Sequence, residues 1–250
     1  MITGFGLLTL TPAADLLTES PHYPSPQATR SGSVAVDRLM PGSVAGIGIV
    51  DSRIALAATV LAREASPPYL FNHAVRTYLF SALIAKARQL RFDEELLYLA
   101  CILHDLGLTQ RFMGDLPFEI QGAQAASRFL DECGFPKAGT AVVWNAIAMH
   151  ASPIGAYQQA EIALVGEGAG ADVVSPDFSE ISEATVKEVI TAFPRLGFKE
   201  EFVKTCAELV RKHPRGASRS FMMRDIGERY VPEFHPTNIC DLILKAPFKE

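Results

Sequence analysis

The segment from Asp93 to Leu106 constrains the fold more than any other. It reads DEELLYLACILHDL and is apolar nearly all the way round over LLYLACIL. A helix with no polar face has no side to give to water, so it belongs at the buried centre of a helical domain. It closes on a polar pair, His104-Asp105, which costs several kcal/mol to desolvate (roughly) unless something offsets it. Asp93 is placed to cap its start, and Gly107 to end it in the left-handed conformation that glycine tolerates.

The rest of the chain from Asp51 onward keeps a helical period. Asp51 or Ser52 can cap RIALAATVLARE, which Pro67-Pro68 stops. A long helix follows over about Tyr69–Leu90, with Leu70, Ala74, Tyr78 and Ala82 recurring on one face. Further helices are expected over Phe118–Cys133, ended by Gly134, and from Pro136 to about His150. Another starts near Ala160, with Ile162, Val165, Ala169, Asp172 and Val173 on one side. Ser182–Phe193, Lys199–Arg211 and Thr237–Leu244 complete the set. No long alternating pattern follows residue 50, and there is no internal repeat. The expected fold class is all-α: one helical domain over residues 51–250, a helical bundle.

Residues 1–50 differ from the rest. Pro, Gly, Ser and Thr dominate from Thr18 to Gly48, which reads as an irregular N-terminal arm with a short extended piece near Ile47–Val50. The arm either packs on a neighbouring subunit, giving a homo-oligomer, or frays as a tail.

Charge and cysteine use narrow the function classes. The net charge is −5, and Lys and Arg are scattered with no run above two, so nucleic acid is not an expected partner. The four cysteines, Cys101, Cys133, Cys206 and Cys240, form no CxxC, which disfavours a disulfide scaffold or a cysteine zinc site. No apolar run is long enough for a membrane span. Phe5–Leu10 is apolar but no Lys or Arg precedes Arg30, so no export signal is read and a cytoplasmic location is expected.

A divalent cation is the natural relief for a buried His-Asp pair, because imidazole nitrogen and carboxylate oxygen are its ligands. Neighbouring residues on a helix point about 100° apart, so both reach one ion only near a helix end. Gly107 marks such an end. His73, in FNHAVRTYLF on the preceding helix, can face His104 across the interface between neighbouring helices. Asp172, which interrupts the inward face of a helix lined by Gly166 and Ala169, is the expected fourth ligand. Taken singly, each has an ordinary reading: a common dipeptide, a core histidine, a helix-end aspartate. Together they give H…HD…D.

These residues carry a family resemblance. FNHAVRTYLF, CILHDLGLT and Asp172 in GAGADVVS resemble the HD-domain superfamily of metal-dependent enzymes, and among its branches the cyanamide hydratase-like one. That branch places its first histidine in an Asn-His-x-x-Arg context, matched by Asn72, His73 and Arg76, and follows the HD with Gly and Thr, matched by Gly107 and Thr109. The likeness runs on through FEIQGA (Phe118–Ala123) and TAFPRLGF (Thr191–Phe198), over roughly residues 50 to 210. It implies an all-helical fold, one divalent metal held by His73, His104, Asp105 and Asp172, and hydration of cyanamide to urea. The metal is zinc in the characterised hydratases, with iron and manganese as the other choices. The chain departs from the pattern after the fifth helix, where His150-Ala151-Ser152-Pro153 stands in place of His-Glu-Asp.

On this reading Asp105 orients the attacking water and shuttles its proton, and His150 donates to the developing anion unless it is only a helix C-terminal histidine. Arg76 shares the face of His73 and either pairs with Asp105 or Glu119 or touches substrate. Thr109 holds the turn after the HD or reaches substrate. Glu119 is a first-turn acid or stands near the site. Trp144 packs in the core or walls the pocket. The substrate is a small nitrile-type molecule. The alternative is a phosphohydrolase acting on a small phosphate ester or nucleotide, for which the sparse basic residues between Asp105 and Asp172 make a poor cradle. A two-metal oxygenase would need more histidines there than His150, and a non-enzymatic module would not need all four ligand positions filled.

Overall fold

The computed structural model describes residues 40–174, 180–236, 238 and 240. Among them the fold is all-α, with ten helices and one two-stranded hairpin. The hairpin pairs β1 (Ser43–Val44) with β2 (Ile47–Gly48) through a two-residue turn. Both turn residues, Ala45 and Gly46, have positive φ (53° and 72°), as this tight connection demands. Val44 and Ile47 are buried in the core, Tyr78 Oη donates to Gly48 O at 3.0 Å, and the Ala45 amide donates to Glu188 Oε1 at 2.7 Å. The hairpin is thus docked on the helices; the expected arm before it falls outside the described residues.

Helix α1 (Arg53–Ala65) is capped by Ser52, whose Oγ accepts from the Ala55 amide at 3.1 Å and also bonds Glu95. Pro68 opens α2 (Pro68–Ala87) at a position where its missing N–H costs nothing. Every residue of α2 from Tyr69 to Ala85 is buried except Asn72, so α2 shares the central place expected for the next helix alone. That helix, α3 (Glu94–Leu103), is capped by Asp93 and is buried from Leu97 to its end.

The α-helix stops at Leu103, earlier than the pattern suggested, and Leu106–Leu108 continues as a 3₁₀ turn. Gly107 is not one of the residues with positive φ, so the expected left-handed cap is not its role. Its role is close approach: a Cβ there would lie 2.0 Å from Phe118 O and 2.9 Å from Gly122 N. The turn after the His-Asp pair is therefore pressed directly on the start of α4 (Phe118–Glu132), which ends at Gly134 in the left-handed region (φ 73°).

Next come α5 (Lys137–Met149), a 3₁₀ turn at Pro153–Tyr157, and α6 (Ala160–Val174). α6 lies along α2, and Gly168 is the point of closest approach: a Cβ there would meet Ser81 Oγ at 2.1 Å and Thr77 O at 2.4 Å. α7 (Glu183–Ala192) is capped by Ser182, and α8 (Phe198–Lys212) follows. The short α9 (Pro214–Ala217) and α10 (Phe221–Tyr230) are not among the helices expected from the pattern. Thr237–Leu244 lies largely outside the described residues. No helix among the described residues is long and apolar enough to cross a membrane.

Candidate metal centre

Four side chains converge where the start of α2 meets the end of α3. His73 comes from the first turns of α2, His104 and Asp105 from the break between α3 and the 3₁₀ turn, and His150 from the C-cap of α5. The helix break lets the adjacent His104 and Asp105 face the same point. His73 Nε2 lies 3.2 Å from His104 Nε2, and Asp105 Oδ2 lies 3.5 Å and 3.3 Å from those two nitrogens. His150 Nε2 is 3.7 Å from Asp105 Oδ1, and its ring meets His104 edge to face at 4.8 Å. One atom each from His73, His104 and Asp105 falls within 4.8 Å of the others, as ligands of one ion must.

The outward hydrogen bonds fix the tautomers. His104 Nδ1 is 2.7 Å from Cys101 O, and His150 Nδ1 is 2.7 Å from Ile147 O. A carbonyl oxygen only accepts, so both Nδ1 atoms carry the proton. His73 Nδ1 donates to Asp172 Oδ2 at 2.7 Å. Each Nε2 therefore points inward, toward a carboxylate that only accepts, and offers a lone pair there whenever its ring is neutral. Asp105 Oδ2 is buried without a hydrogen-bond partner among the described residues.

Acceptors facing acceptors call for positive charge in their midst. Electrostatics agree. Burial alone would raise the Asp105 carboxyl, but His104, then His73 and His150, hold it well below the usual carboxylate range. Burial would lower His104, yet Asp105 outweighs it and raises the imidazole. His73 and His150 are lowered chiefly by burial, His150 to about 4. A divalent cation fits this donor set, and each ligating histidine already has the outward partner that orients metal-bound imidazoles.

Asp172 occupies a different place from the expected fourth ligand position. Its carboxylate stands behind His73, with both oxygens taken. Arg76 Nε bonds Oδ1 at 2.8 Å and Nη2 bonds Oδ2 at 2.7 Å, while Arg195 Nη1 bonds Oδ1 at 2.8 Å. These partners outweigh burial and hold the Asp172 carboxyl far below its ordinary value. Arg76 is correspondingly not aimed at substrate, nor at Asp105 or Glu119. It is fully buried, and its remaining donor goes to Phe193 O and Pro194 O.

Arg195 is the residue that the sequence reading missed. It sits within the quoted TAFPRLGF motif, but nothing in its spacing ties it to a helix 23 positions earlier. Its guanidinium also lies over the Phe198 ring at 4.8 Å, and that ring packs on His73 at 4.8 Å. Thr109 Oγ1 donates to Leu106 O at 2.7 Å and serves the turn. Glu119 is buried in the first turn of α4, where Oε1 accepts from Ser220 Oγ at 2.7 Å and burial pushes the carboxyl up. Trp144 lines a separate hollow with Ser127, Asp131 and Lys137. None of Arg76, Thr109, Glu119 and Trp144 lines the cavity at the histidines.

That cavity, about 490 Å³, opens from His73, His104, Asp105 and His150 toward α6, α8 and α10. The helical fold thus sets a buried His-His-Asp cluster that could hold a metal ion beside an apolar cavity. Comparison with known families agrees: residues 70–168 match the HD domain, whose family is largely one of metal-dependent hydrolases. The match takes in all four converging residues and stops short of Asp172, Arg195 and α10. No curated protein matches the chain.

Proposed function

We propose that the protein is a metal-dependent enzyme that adds water to a small uncharged nitrile-type substrate, cyanamide to urea or a related nitrile to its amide. The observation that carries the metal is the inward set of three imidazole Nε2 atoms around Asp105 Oδ2, which is buried without a hydrogen-bond partner among the described residues. His73, His104 and Asp105 would hold the ion. When bound, a zinc ion with three protein ligands and an open position lowers the pKa of water toward about 7 and polarises a substrate atom. Iron or manganese suits the same donors.

The residues themselves supply the proton path. Asp105 Oδ1 and His150 Nε2 stand 3.7 Å apart, so a water beside the pair, on the cavity side, can bond both and be oriented by the carboxylate. His150 rests neutral with its proton on Nδ1, so Nε2 first accepts a proton and can then donate it to the developing anion, the part expected from sequence. Water oxygen bonds the nitrile carbon while a C–N π pair moves to nitrogen. His150 Nε2 takes the proton that water loses and returns it to that nitrogen, which gives the amide after tautomerisation. Atoms balance with water as the only co-reactant.

The phosphohydrolase reading shares the metal and the HD match. The cavity supports the neutral substrate instead, because among the described residues no Lys or Arg lines it and Glu167 and Asp225 do. A cytoplasmic setting suits the four unpaired cysteines.

Zinc-loaded protein given cyanamide and simple nitriles should release urea and the matching amides. His150→Ala should keep its zinc and lose about 10²- to 10⁴-fold in kcat, the usual contribution of a positioned acid–base group. Turnover of an aryl phosphate by zinc- or manganese-loaded protein, with no nitrile hydrated, would replace this reading with the phosphohydrolase one.

A further inference from the structure

The cavity is far larger than a molecule of three heavy atoms such as cyanamide needs. Its volume falls in the range, about 300–1,000 Å³, that seats drug-sized ligands. Its walls are of two kinds. On the α6 side small residues, among them Ala163, Gly166 and Ala169, leave the width open. The lining also carries bulky apolar side chains: Phe202 of α8, and Phe221, Met222 and Ile226 of α10. Away from the histidines and Asp105, the charged groups on the lining among the described residues are the carboxylates Glu167 and Asp225, which repel an anion. Phe221, one of these lining residues, is 73% exposed overall, an apolar group left in water that a bound apolar body can help to cover.

The α10 wall is firmly seated. Met223 is fully buried beneath it, a Cβ on Gly227 would strike the Phe234 ring at 2.5 Å, and Arg211 Nη2 ties down Tyr230 O at 3.2 Å. It lies wholly outside the HD match.

We propose that the substrate carries an uncharged apolar body, seated between α6 and α10, and that Met222 and Ile226 set the size it accepts. This rests on the water-adding reading of the same site. The reacting group sits at the histidines, and the body fills the space that a molecule of three heavy atoms leaves empty. A filled apolar pocket gains about tenfold or more in kcat/KM per methylene, and loses it again when a bulkier wall takes the space.

The test uses full-length zinc-loaded protein and the series acetonitrile, butyronitrile, hexanenitrile and phenylacetonitrile, with amide release measured by chromatography. The value of kcat/KM should climb at least about 100-fold along the series. In Ile226→Trp the ratio for phenylacetonitrile over acetonitrile should fall at least about 30-fold, and Met222→Trp gives the same readout if the first variant folds poorly by circular dichroism. A flat series, or ratios that neither variant changes, overturns the proposal. Calorimetry with phenylacetamide separates the two readings. If no nitrile is hydrated but phenylacetamide binds, and binds at least about tenfold weaker to the Trp variants, the pocket assignment stands and the nitrile chemistry fails. If phenylacetamide does not bind while an aryl phosphate is turned over, the assignment falls with it.

Discussion

Asp172 Oδ2 lies 2.7 Å from His73 Nδ1, on the side of the imidazole away from His104 and Asp105. The carboxylate thus acts on the cluster through His73. It fixes the ring's proton on Nδ1 and leaves Nε2 free to bind, while two arginines fix the carboxylate itself.

Removing a ligand and removing this orienting group should differ in kind. His73→Ala, His104→Ala and Asp105→Asn should each retain little zinc after dialysis, read by elemental analysis. Asp172→Asn should keep zinc at saturating metal with an affinity about 10- to 100-fold weaker, the usual cost of losing an outer partner. A variant at Asp172 as metal-free as one at His104 would make the carboxylate a ligand.

Stability should follow the burial of Arg76. Asp172→Ala leaves its guanidinium, now 0% exposed, without a counter-charge. Breaking a buried pair in this way costs about 3–5 kcal/mol. Arg195→Ala removes a partner that is 28% exposed from a carboxylate that keeps Arg76, and about 1 kcal/mol is expected. Urea melts of the three proteins compare them directly.

The same pair sets an acid limit. The Asp172 carboxyl sits well below its ordinary value of 3.8 in the folded chain. A depressed folded pKa stabilises fully above the unfolded value and is lost as pH falls toward the folded one. The urea midpoint should therefore drop steeply below about pH 4. In Asp172→Asn that slope should be shallower.

Zinc should stabilise the metal-free protein. At a free zinc concentration about 100 times Kd the gain is about 2.7 kcal/mol. Scanning calorimetry should show the melting temperature rise by several degrees, and His104→Ala should show no rise.

Thiol chemistry offers an independent check on the packing. Burial pushes the Cys101 thiol up to about 12, raises Cys206 well above its usual value and also raises Cys133, while Cys240 is exposed. A disulfide reagent at pH 8 should titrate Cys240 rapidly in the native chain, and all four cysteines only after unfolding.

Much of this was legible in the residues because it rests on local rules. Asp93 and Ser52 cap as expected, and Gly134 ends its helix in the left-handed region, because caps and αL residues depend on a few neighbouring positions. The juxtaposition of His73 with His104 also follows from helices of known period packed side by side. Gly107 was harder to read, since a glycine needed for positive φ and one needed for contact with a carbonyl on another helix look alike in sequence. Asp172 showed that an inward carboxylate was needed but not which side of His73 it would take. That depends on Arg76 and on Arg195, which arrives from a loop between α7 and α8. The α10 wall went unread although Ser220 precedes it and Met222, Met223 and Ile226 follow with helical spacing, because the segment is only ten residues long and interrupted by Gly227.

The contact at Gly168 has a consequence for the dyad one turn further along α6. With Ser81 and the Thr77 carbonyl already at touching distance, the gap between the two rods is as thin as main chains permit. The meeting of imidazole and carboxylate is then a matter of peptide thickness, not of how far either side chain can stretch. Position 168 works as a mechanical stop: a single methyl group placed there would act at once on the alignment of a ring that it never touches.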